Sequence, residues 1–397
     1  MARPDHTPTG RCVVCDAVDI RDLMSTPDVP IHCNVLWPTR EEARRAPRGE
    51  VNLGYCRVCG HVFNTTFDPS LMEYTQEYEN SLHFSPRFQS YAEALARRLV
   101  ERYSIRNKDV IDVGCGKGDF LALVCGVGDN RGTGFDPSYV PGQLESAGSG
   151  RMTIVRDFYS PKYSSYKADL ITCRHVLEHI QFPGKFVGAI AQSIEGRPET
   201  VVFFEVPNVL YSLRDMGIWD IIYEHCSYFS SSSLARLFTD QGFTVLEQTE
   251  LYDGQYLGID VMARGAGDTP VVPTRPEESM GDLVDQFSRK YREKIASWKE
   301  QISRMADEGR TVVVWGGGSK GVTFLNAMGE QDLVRYMVDI NPRKQGMFVP
   351  GTGQEVIGPE TLGDLRPNIV VIMNPVYRGE IQSTLSDLGI EARVMVA

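Results

Sequence analysis

Short apolar runs alternate with amphipathic segments along most of the chain, which is the pattern of an α/β protein. Strand-sized apolar runs occur at Val110–Val113, Val201–Phe204, Thr311–Trp315 and Ile369–Met373. Two of them, the first and the third, run into glycine-rich turns that precede helical patterns. No apolar run reaches the roughly 18 residues that a membrane-spanning helix needs. The pattern predicts an α/β fold without a transmembrane helix.

The pattern changes character twice and divides the chain into three predicted domains, at residues 1–70, 71–265 and 277–397. The first is rich in turns, and a stretch rich in Gly, Pro and Thr at residues 265–276 indicates a linker before the third. The third begins with a predicted long helix at about 277–308. Its apolar residues recur at helical spacing and are expected to face a core, with a dimer seam as the alternative: Val284, Phe287, Tyr291, Trp298, Ile302 and Met305.

Composition adds limits on partners. The 397 residues carry 41 Lys and Arg against 52 Asp and Glu, a net charge of −11. A chain this acidic is a poor general ligand for nucleic acids or anionic membranes. The first residues lack the apolar core of a signal peptide, so we expect a soluble, cytoplasmic protein.

Five of the nine cysteines fall within the first 60 residues, and four of them form two C-x2-C pairs. The pairs are Cys12-Val-Val-Cys15 and Cys56-Arg-Val-Cys59. In a cytoplasmic protein such pairs favour a tetrahedral Zn²⁺ site over disulfides. Four thiolate ligands leave no open position, so the predicted role of Zn²⁺ is structural; two unrelated pairs of buried thiols are the alternative.

The central domain contains an informative glycine-rich loop. Val110–Gly118 has the form of a strand followed by D-x-G-x-G-x-G, and Asp136 lies where the next strand should end. An acid at that position accepts hydrogen bonds from ribose hydroxyls. The spacing resembles the first motif of class I S-adenosylmethionine (SAM) methyltransferases rather than the G-x-G-x-x-G of NAD-binding folds. A degenerate nucleotide fold that binds no cofactor is the alternative.

That resemblance implies a set of residues around SAM. Asp112 and Gly114 would neighbour the amino-acid end, Asp136 the ribose and Asp157 the adenine. The segment Ala168–Ile180, which contains V-L-E-H, resembles the fourth strand and following helix of the same family. The implied cofactor-binding residues are Asp112, Gly114, Gly116, Gly118, Asp136, Asp157 and His175.

Several histidines are candidates for catalysis. His175 and His179 are four residues apart, which would place them on one helical face. No glutamate or third histidine occurs near them in the expected helical pattern, so a metal pair is not our prediction. His225 lies in a dense polar and aromatic cluster at residues 223–230.

The whole chain resembles the three-domain SAM-dependent C-methyltransferases that act on nucleotide-linked ketosugars in deoxysugar biosynthesis. The likeness rests on the cysteine pairs, the central glycine loop, Tyr223-Glu-His-x2-Tyr-Phe-Ser230 and the motifs at 314–321 and 339–346. It implies an N-terminal zinc-binding domain, a class I SAM methyltransferase Rossmann-like domain and a C-terminal Rossmann-like α/β domain.

By the same resemblance, His225 would be the general base, Glu224 its neighbour, and His179 and Tyr78 further catalytic residues. The chemistry suits these residue types. A proton must leave a carbon beside a carbonyl before that carbon can attack the methyl group, and an imidazole is a base with a suitable pKa. Donors such as Tyr78 or His179 could stabilise the enolate oxygen.

A second glycine-rich loop, Gly316–Gly321, follows the strand at Thr311–Trp315 and fits G-x-G-x-x-G. Its N–H groups could hold the diphosphate of a nucleotide-linked substrate. An NAD-dependent oxidoreductase and a purely structural turn are the alternatives. The predicted substrate-binding residues are Gly316, Gly318, Ser319, Lys320, Asn374 and Tyr377.

The sequence therefore predicts a methyltransferase with SAM and structural Zn²⁺ that acts on a small, nucleotide-linked substrate as a monomer or homodimer. C-, O- or N-methylation of another metabolite is one alternative function. A non-catalytic SAM- or nucleotide-binding scaffold is the alternative of another class.

Overall fold

The computed structural model describes residues 10–72, 84–140, 151–265, 280–329 and 333–397. These residues form three β-sheets with helices packed around them. The predicted linker, from residue 266 onward, and Tyr78 lie outside the described residues. Strands and helices are numbered in chain order, with the helices as follows: α1 (Arg40–Arg44), α2 (Pro86–Arg102), α3 (Asp119–Gly128), α4 (Pro183–Ser193), α5 (Val209–Leu213), α6 (Ser231–Asp240), α7 (Met280–Asp307), α8 (Ser319–Met328), α9 (Leu362–Leu365) and α10 (Arg378–Asp387).

The first sheet is antiparallel and draws on two parts of the chain. Its strands, in spatial order, are β1 (Ile20–Pro30), β2 (Arg48–Cys56), β3 (Val62–Asn64) and β9 (Ser227–Tyr228). The short strand β9 pairs with β3 through Val62 and Tyr228. The segment after His225 is therefore held against the N-terminal block.

The central sheet has seven strands, and the order in which the chain adds them reverses in the middle of the sheet. Its strands, in spatial order, are β10 (Phe243–Leu251), β11 (Tyr256–Ala263), β8 (Val201–Pro207), β7 (Leu170–Arg174), β4 (Asp109–Val113), β5 (Arg131–Phe135) and β6 (Met152–Val155). All neighbours from β8 to β6 are parallel, while β11 is antiparallel to β8 and β10. The chain leaves β4 towards β5 on one side, and β7 lies on the other. In such sheets a crevice for ligands opens at the carboxyl ends of the strands at this switch point.

Buried strands and amphipathic helices account for this layer. Every residue of β8 is buried, as expected for a strand covered on both faces. Helix α2 begins at a Ser85 N-cap and buries apolar residues at a spacing of three and four. Helix α3 starts directly after Gly118, which adopts φ +86°.

The third sheet is wholly parallel and has its own switch point. Its strands, in spatial order, are β14 (Glu355–Ile357), β13 (Tyr336–Val338), β12 (Val312–Trp315), β15 (Ile369–Ile372) and β16 (Arg393–Val396). The long helix α7 precedes it and buries Val284, Phe287 and Trp298. The prediction that its apolar stripe faces a core is confirmed.

One hydrophobic core joins the first sheet to the third. It contains Leu53 from β2, Trp219 and Tyr223 from the middle of the chain, Phe287 from α7 and Phe324 from α8. The rings of Trp219 and Trp298 each meet Phe324 edge-on. The first and third blocks therefore fold against each other rather than standing apart. Within the described residues, no helix combines the length and apolarity needed to cross a bilayer.

Candidate functional site

A cleft of about 840 Å³ opens where the switch points of the central and third sheets face each other. Predicted cofactor-binding, catalytic and substrate-binding residues all line this cleft: Asp112, Gly114, Gly116, Asp136, Asp157, His175, His179, His225, Gly316, Gly318, Ser319, Lys320, Asn374 and Tyr377. The fold thus brings together residues that the sequence places in separate domains.

The glycine loop after β4 forms one wall of the cleft. Gly114, Gly116 and Gly118 all adopt positive φ. A Cβ atom on Gly114 would lie 2.2 Å from Val176 Cγ2, so only glycine fits there. The Gly116 N–H donates to the Asp136 carboxylate at 2.8 Å. Asp136, which follows the neighbouring strand β5, therefore anchors the loop through this hydrogen bond.

The other two acids on this wall have pKa values shifted in opposite directions. Asp112 is buried and accepts a hydrogen bond from the Thr172 hydroxyl at 2.7 Å; burial raises its pKa to about 6. Asp157 instead accepts hydrogen bonds from Lys162 and Tyr163, which lower its pKa to about 2.

A buried charge network missed by the sequence analysis supports this wall. Arg174 Nε and Nη2 donate to Glu205 Oε1 at 3.1 and 2.9 Å, and the Tyr91 hydroxyl donates to the same carboxylate. His175 Nε2 lies 2.8 Å from Glu205 Oε1. The available signal was a glutamate within the apolar run of β8, since a buried acid must find partners.

The carboxylates of this network raise the pKa of His175. Burial alone would lower its pKa, but Glu178 and Glu205 outweigh burial and raise the pKa to about 9. The backbone of His175 adopts φ +54°, and the residues after it form a single 3₁₀ turn, Leu177–His179. The expectation that His175 and His179 share a helical face is therefore wrong.

The side chains of His179 and His225 are in contact. The rings of His179 and His225 cross edge-to-face with centroids 4.9 Å apart. His179 Nδ1 lies 2.9 Å from the Glu224 carbonyl oxygen, and the Cys226 N–H donates to the Glu178 carbonyl at 2.9 Å. These contacts dock the 3₁₀ turn onto the segment that carries His225.

The side chain of Glu224, which was predicted beside His225, contacts residues 32–33 instead. Its fully buried carboxylate accepts a hydrogen bond from the Cys33 N–H at 3.0 Å, and His32 Nδ1 lies 3.9 Å from it. Its side chain ties residues 32–33 to the central segment, and its backbone carbonyl orients His179.

The glycine loop of the third sheet forms the opposite wall. The Gly317 N–H donates to Asp339 at 2.7 Å, and the buried Lys344 ammonium donates to the Gly317 carbonyl at 3.0 Å. Helix α8 begins at Ser319, so its N-terminal N–H groups and Lys320 lie at the cleft. The combination of a helix N-terminus with nearby ammonium groups is suited to an anion.

A side-chain bridge joins the two walls. Asn374 and Gln255 exchange two hydrogen bonds, at 2.8 and 2.9 Å. Lys320 Nζ donates to the same Gln255 oxygen at 2.9 Å. Gln255 directly precedes β11 of the central sheet. This contact therefore fixes the glycine loop of the third sheet relative to the central sheet.

The four paired cysteines lie close together near the first sheet, and none of them lines the cleft. Cys12 Sγ lies 3.5 Å from Cys59 Sγ, and Cys15 Sγ lies 3.6 Å from Cys56 Sγ. All four sulfur atoms lie within 4.8 Å of one another. A tetrahedral Zn²⁺ with Zn–S bonds of about 2.3 Å separates its sulfurs by about 3.8 Å, so the cluster fits that ion.

Two family models match the chain. One is described as a methyltransferase domain and matches residues 88–248; the other is described as a C-methyltransferase C-terminal domain and matches residues 275–393. Together with the seven-stranded central sheet, the first match defines a SAM-dependent methyltransferase.

Relatives extend this result. The C-methyltransferase NovU of Streptomyces niveus is 25% identical over 395 residues, covering 94% of this chain and 91% of that protein. A ubiquinone biosynthesis O-methyltransferase of Saccharophagus degradans is 32% identical over 124 residues, covering 28% of this chain and 49% of that protein. An O-methyltransferase family structure from Burkholderia thailandensis aligns with a TM-score of 0.36 and 16% identity, covering 50% of this chain and 65% of that chain. Over nearly its whole length the chain is thus similar to a C-methyltransferase, and its last third matches the C-terminal domain of that family.

Proposed function

We propose that this enzyme methylates a carbon beside the carbonyl of a nucleotide-linked ketosugar. The observation that carries the proposal is the single cleft. A methyl-donor loop, a histidine pair and a second glycine loop with a helix N-terminus all open into it. A substrate anchored by its diphosphate on one wall would present its sugar to the other wall.

The proposed reaction begins at the histidine pair. His225 takes the proton from the carbon beside the carbonyl, and the enolate carbon then attacks the methyl group of SAM. His179, which lies against His225 and donates from Nδ1 to the Glu224 carbonyl, is proposed to orient His225 rather than to donate to the enolate oxygen. Tyr78, proposed from the resemblance as a donor to that oxygen, lies outside the described residues. The S–CH3 bond breaks as the new C–C bond forms, and S-adenosylhomocysteine leaves as a neutral thioether. Because this leaving group is good, alignment of the two reactants supplies much of the rate.

Anchoring of the nucleotide is assigned to the third sheet. Gly316, Gly318 and Ser319 offer backbone or hydroxyl donors, and Lys320 offers a positive charge; Asn374 and Tyr377 would complete this wall. Asp112, Asp136 and Asp157 would bind the methionine, ribose and adenine parts of SAM, in line with the class I methyltransferase pattern.

We also propose that Cys12, Cys15, Cys56 and Cys59 hold a structural Zn²⁺. The fully ligated ion would stabilise the turns that carry the two cysteine pairs, at a distance from the reaction. One Zn²⁺ per chain in purified protein is the expected result of metal analysis, and a folded protein free of zinc would contradict the proposal.

Calorimetric titration tests the substrate class. Protein saturated with S-adenosylhomocysteine is titrated with thymidine diphosphate. We expect one nucleotide per chain, with binding lost in Lys320→Ala and kept in Lys299→Ala, which removes an exposed lysine on α7. Absence of nucleotide binding alongside tight S-adenosylhomocysteine binding would discard the nucleotide-linked substrate and retain the methyltransferase.

Replacement of His225 tests its role as the general base. His225→Asn should abolish turnover while S-adenosylhomocysteine still binds. Unchanged turnover in this variant would remove His225 as the base and favour O- or N-methylation, which needs less help from a base.

A further inference from the structure

Three potential metal ligands converge beside the cleft: Glu178, His179 and His225. Each offers one ligand atom, and the three atoms lie within 4.8 Å of one another. The glutamate and His225 side chains are nine-tenths or more buried, at 1% and 8% exposure. Their spacing in the sequence conceals the cluster, because the third ligand arrives from a distant loop.

Two of these side chains have buried polar atoms without a hydrogen-bond partner among the described residues. Glu178 Oε2 and His225 Nδ1 are buried and make no hydrogen bond to any residue that the structure describes. A buried carboxylate oxygen without a partner is costly, and native structures rarely leave one so. Since a carboxylate oxygen and an imidazole lone pair are both electron donors, a cation satisfies both at once.

The surroundings orient the ligands as metal sites do. The Glu224 carbonyl can only accept, so it fixes the proton of His179 on Nδ1 and thereby puts the ring's lone pair on Nε2. The other oxygen of Glu178 lies 3.5 Å from His175 Nδ1. Metal-ligating histidines and carboxylates are typically held by outer contacts of this kind.

We propose that Glu178, His179 and His225 form a binding site for a divalent transition-metal ion, distinct from the four-cysteine cluster. Two imidazoles and one carboxylate favour Zn²⁺, Co²⁺, Ni²⁺ or Fe²⁺ over Mg²⁺ or Ca²⁺, which prefer oxygen ligands. Three protein ligands leave at least one position open towards the cleft.

One consequence rests on the proposed function. A lone pair of His225 that ligates a metal cannot also accept a proton, so metal binding and the base role exclude each other. An ion at this site therefore inhibits methyl transfer, and it competes with the methyl acceptor for access to the cleft.

Cobalt titration tests the site without relying on activity. Protein with zinc already bound at the four cysteines is titrated with Co²⁺ and followed by visible absorption. We expect one further Co²⁺ per chain, with ligand-field bands but without the intense charge-transfer bands of Co²⁺–thiolate bonds. Both Glu178→Gln and His225→Asn should weaken this binding by about tenfold or more.

A matched variant controls for the loss of a nearby imidazole. His32→Gln removes a histidine that faces Glu224 rather than the cluster, and it should keep the second Co²⁺. S-adenosylhomocysteine binding checks that each variant is folded. Lack of a second Co²⁺ in the unaltered protein, or thiolate bands together with released Zn²⁺, would overturn the site, as would equal weakening in His32→Gln.

Methyl transfer measured with and without Co²⁺ separates the two proposals. Binding with inhibition supports both. Binding with undiminished transfer keeps the metal site and removes the base role of His225. Absence of binding, with turnover still lost in His225→Asn, removes the metal site and keeps the proposed function.

Discussion

Removal of the buried carboxylate of Glu205 should destabilise the central sheet strongly. Glu205 is fully buried, and Arg174, whose side chain is 9% exposed, donates two hydrogen bonds to it. In Glu205→Gln the guanidinium stays buried without its counter-charge. Breaking a buried pair from one side costs about 3–5 kcal/mol. The amide oxygen of glutamine still accepts one hydrogen bond, so we expect the lower end, about 3 kcal/mol.

The same substitution should change how stability depends on pH. The folded-state pKa of His175 is raised from 6.5 to about 9. A raised histidine pKa contributes stability that is complete below about 6.5 and is lost as pH rises through 9. For a ring with 27% exposure we take this as roughly 2–3 kcal/mol. Without Glu205 the pKa of His175 falls, so the loss of stability between pH 6.5 and 9 should shrink.

The choice of probe matters for this measurement. None of the four tryptophans, Trp37, Trp219, Trp298 and Trp315, lies in a strand of the central sheet. Urea unfolding should therefore be followed by far-UV circular dichroism, with hydrogen exchange to localise the effect to β7 and β8.

The matched control is Glu247→Gln. This residue pairs with Arg98 at 3.1 Å, but its carboxylate is 33% exposed, so the change should stay within about 1 kcal/mol. An effect of Glu205→Gln no larger than the control, or an unchanged pH profile, would refute the description of a charged, mutually satisfied network.

Two further substitutions test the loop and the cysteine cluster. Gly114→Ala combines φ +70° with a contact of 2.2 Å to Val176, so S-adenosylhomocysteine affinity should fall by about tenfold or more in calorimetry, whereas Gly126→Ala, which meets nothing within 4 Å, should bind normally. Normal affinity in Gly114→Ala would contradict the close fit of the loop. Cys56→Ser should lose the zinc in metal analysis, while Cys33→Ser, buried outside the cluster, should retain it. Zinc retained in Cys56→Ser would place the metal elsewhere.

Local signals carried most of the predicted fold. The glycine loops are contiguous motifs with fixed backbone demands, and Asp136 lies at the end of the next strand, where the spacing predicts it. Each cysteine pair occupies one turn, so its C-x2-C spacing marks one half of the cluster in the sequence. The apolar stripe of α7 predicted its buried face, since the spacing alone defines that face.

Tertiary contacts account for what the sequence analysis missed. The left-handed backbone at His175 ends the helical pattern that its spacing with His179 suggests, and no local signal marks it. The backbone hydrogen bond from Cys226 to Glu178 docks the segment that carries His225 onto His179, 46 residues earlier in the chain. The orientation of Glu224 depends on a backbone N–H in a different block. The last two features are long-range contacts, which periodicity does not reveal.

Transfer of a labelled methyl group tests the central claim most directly. SAM carrying carbon-13 in its methyl group is incubated with the enzyme and a nucleotide-linked ketosugar, and the product is examined by nuclear magnetic resonance. We expect a methyl group bonded to the carbon beside the carbonyl, with no product from His225→Asn. A methyl group on oxygen or nitrogen, or no transfer to any ketosugar while S-adenosylhomocysteine binds tightly, would contradict it.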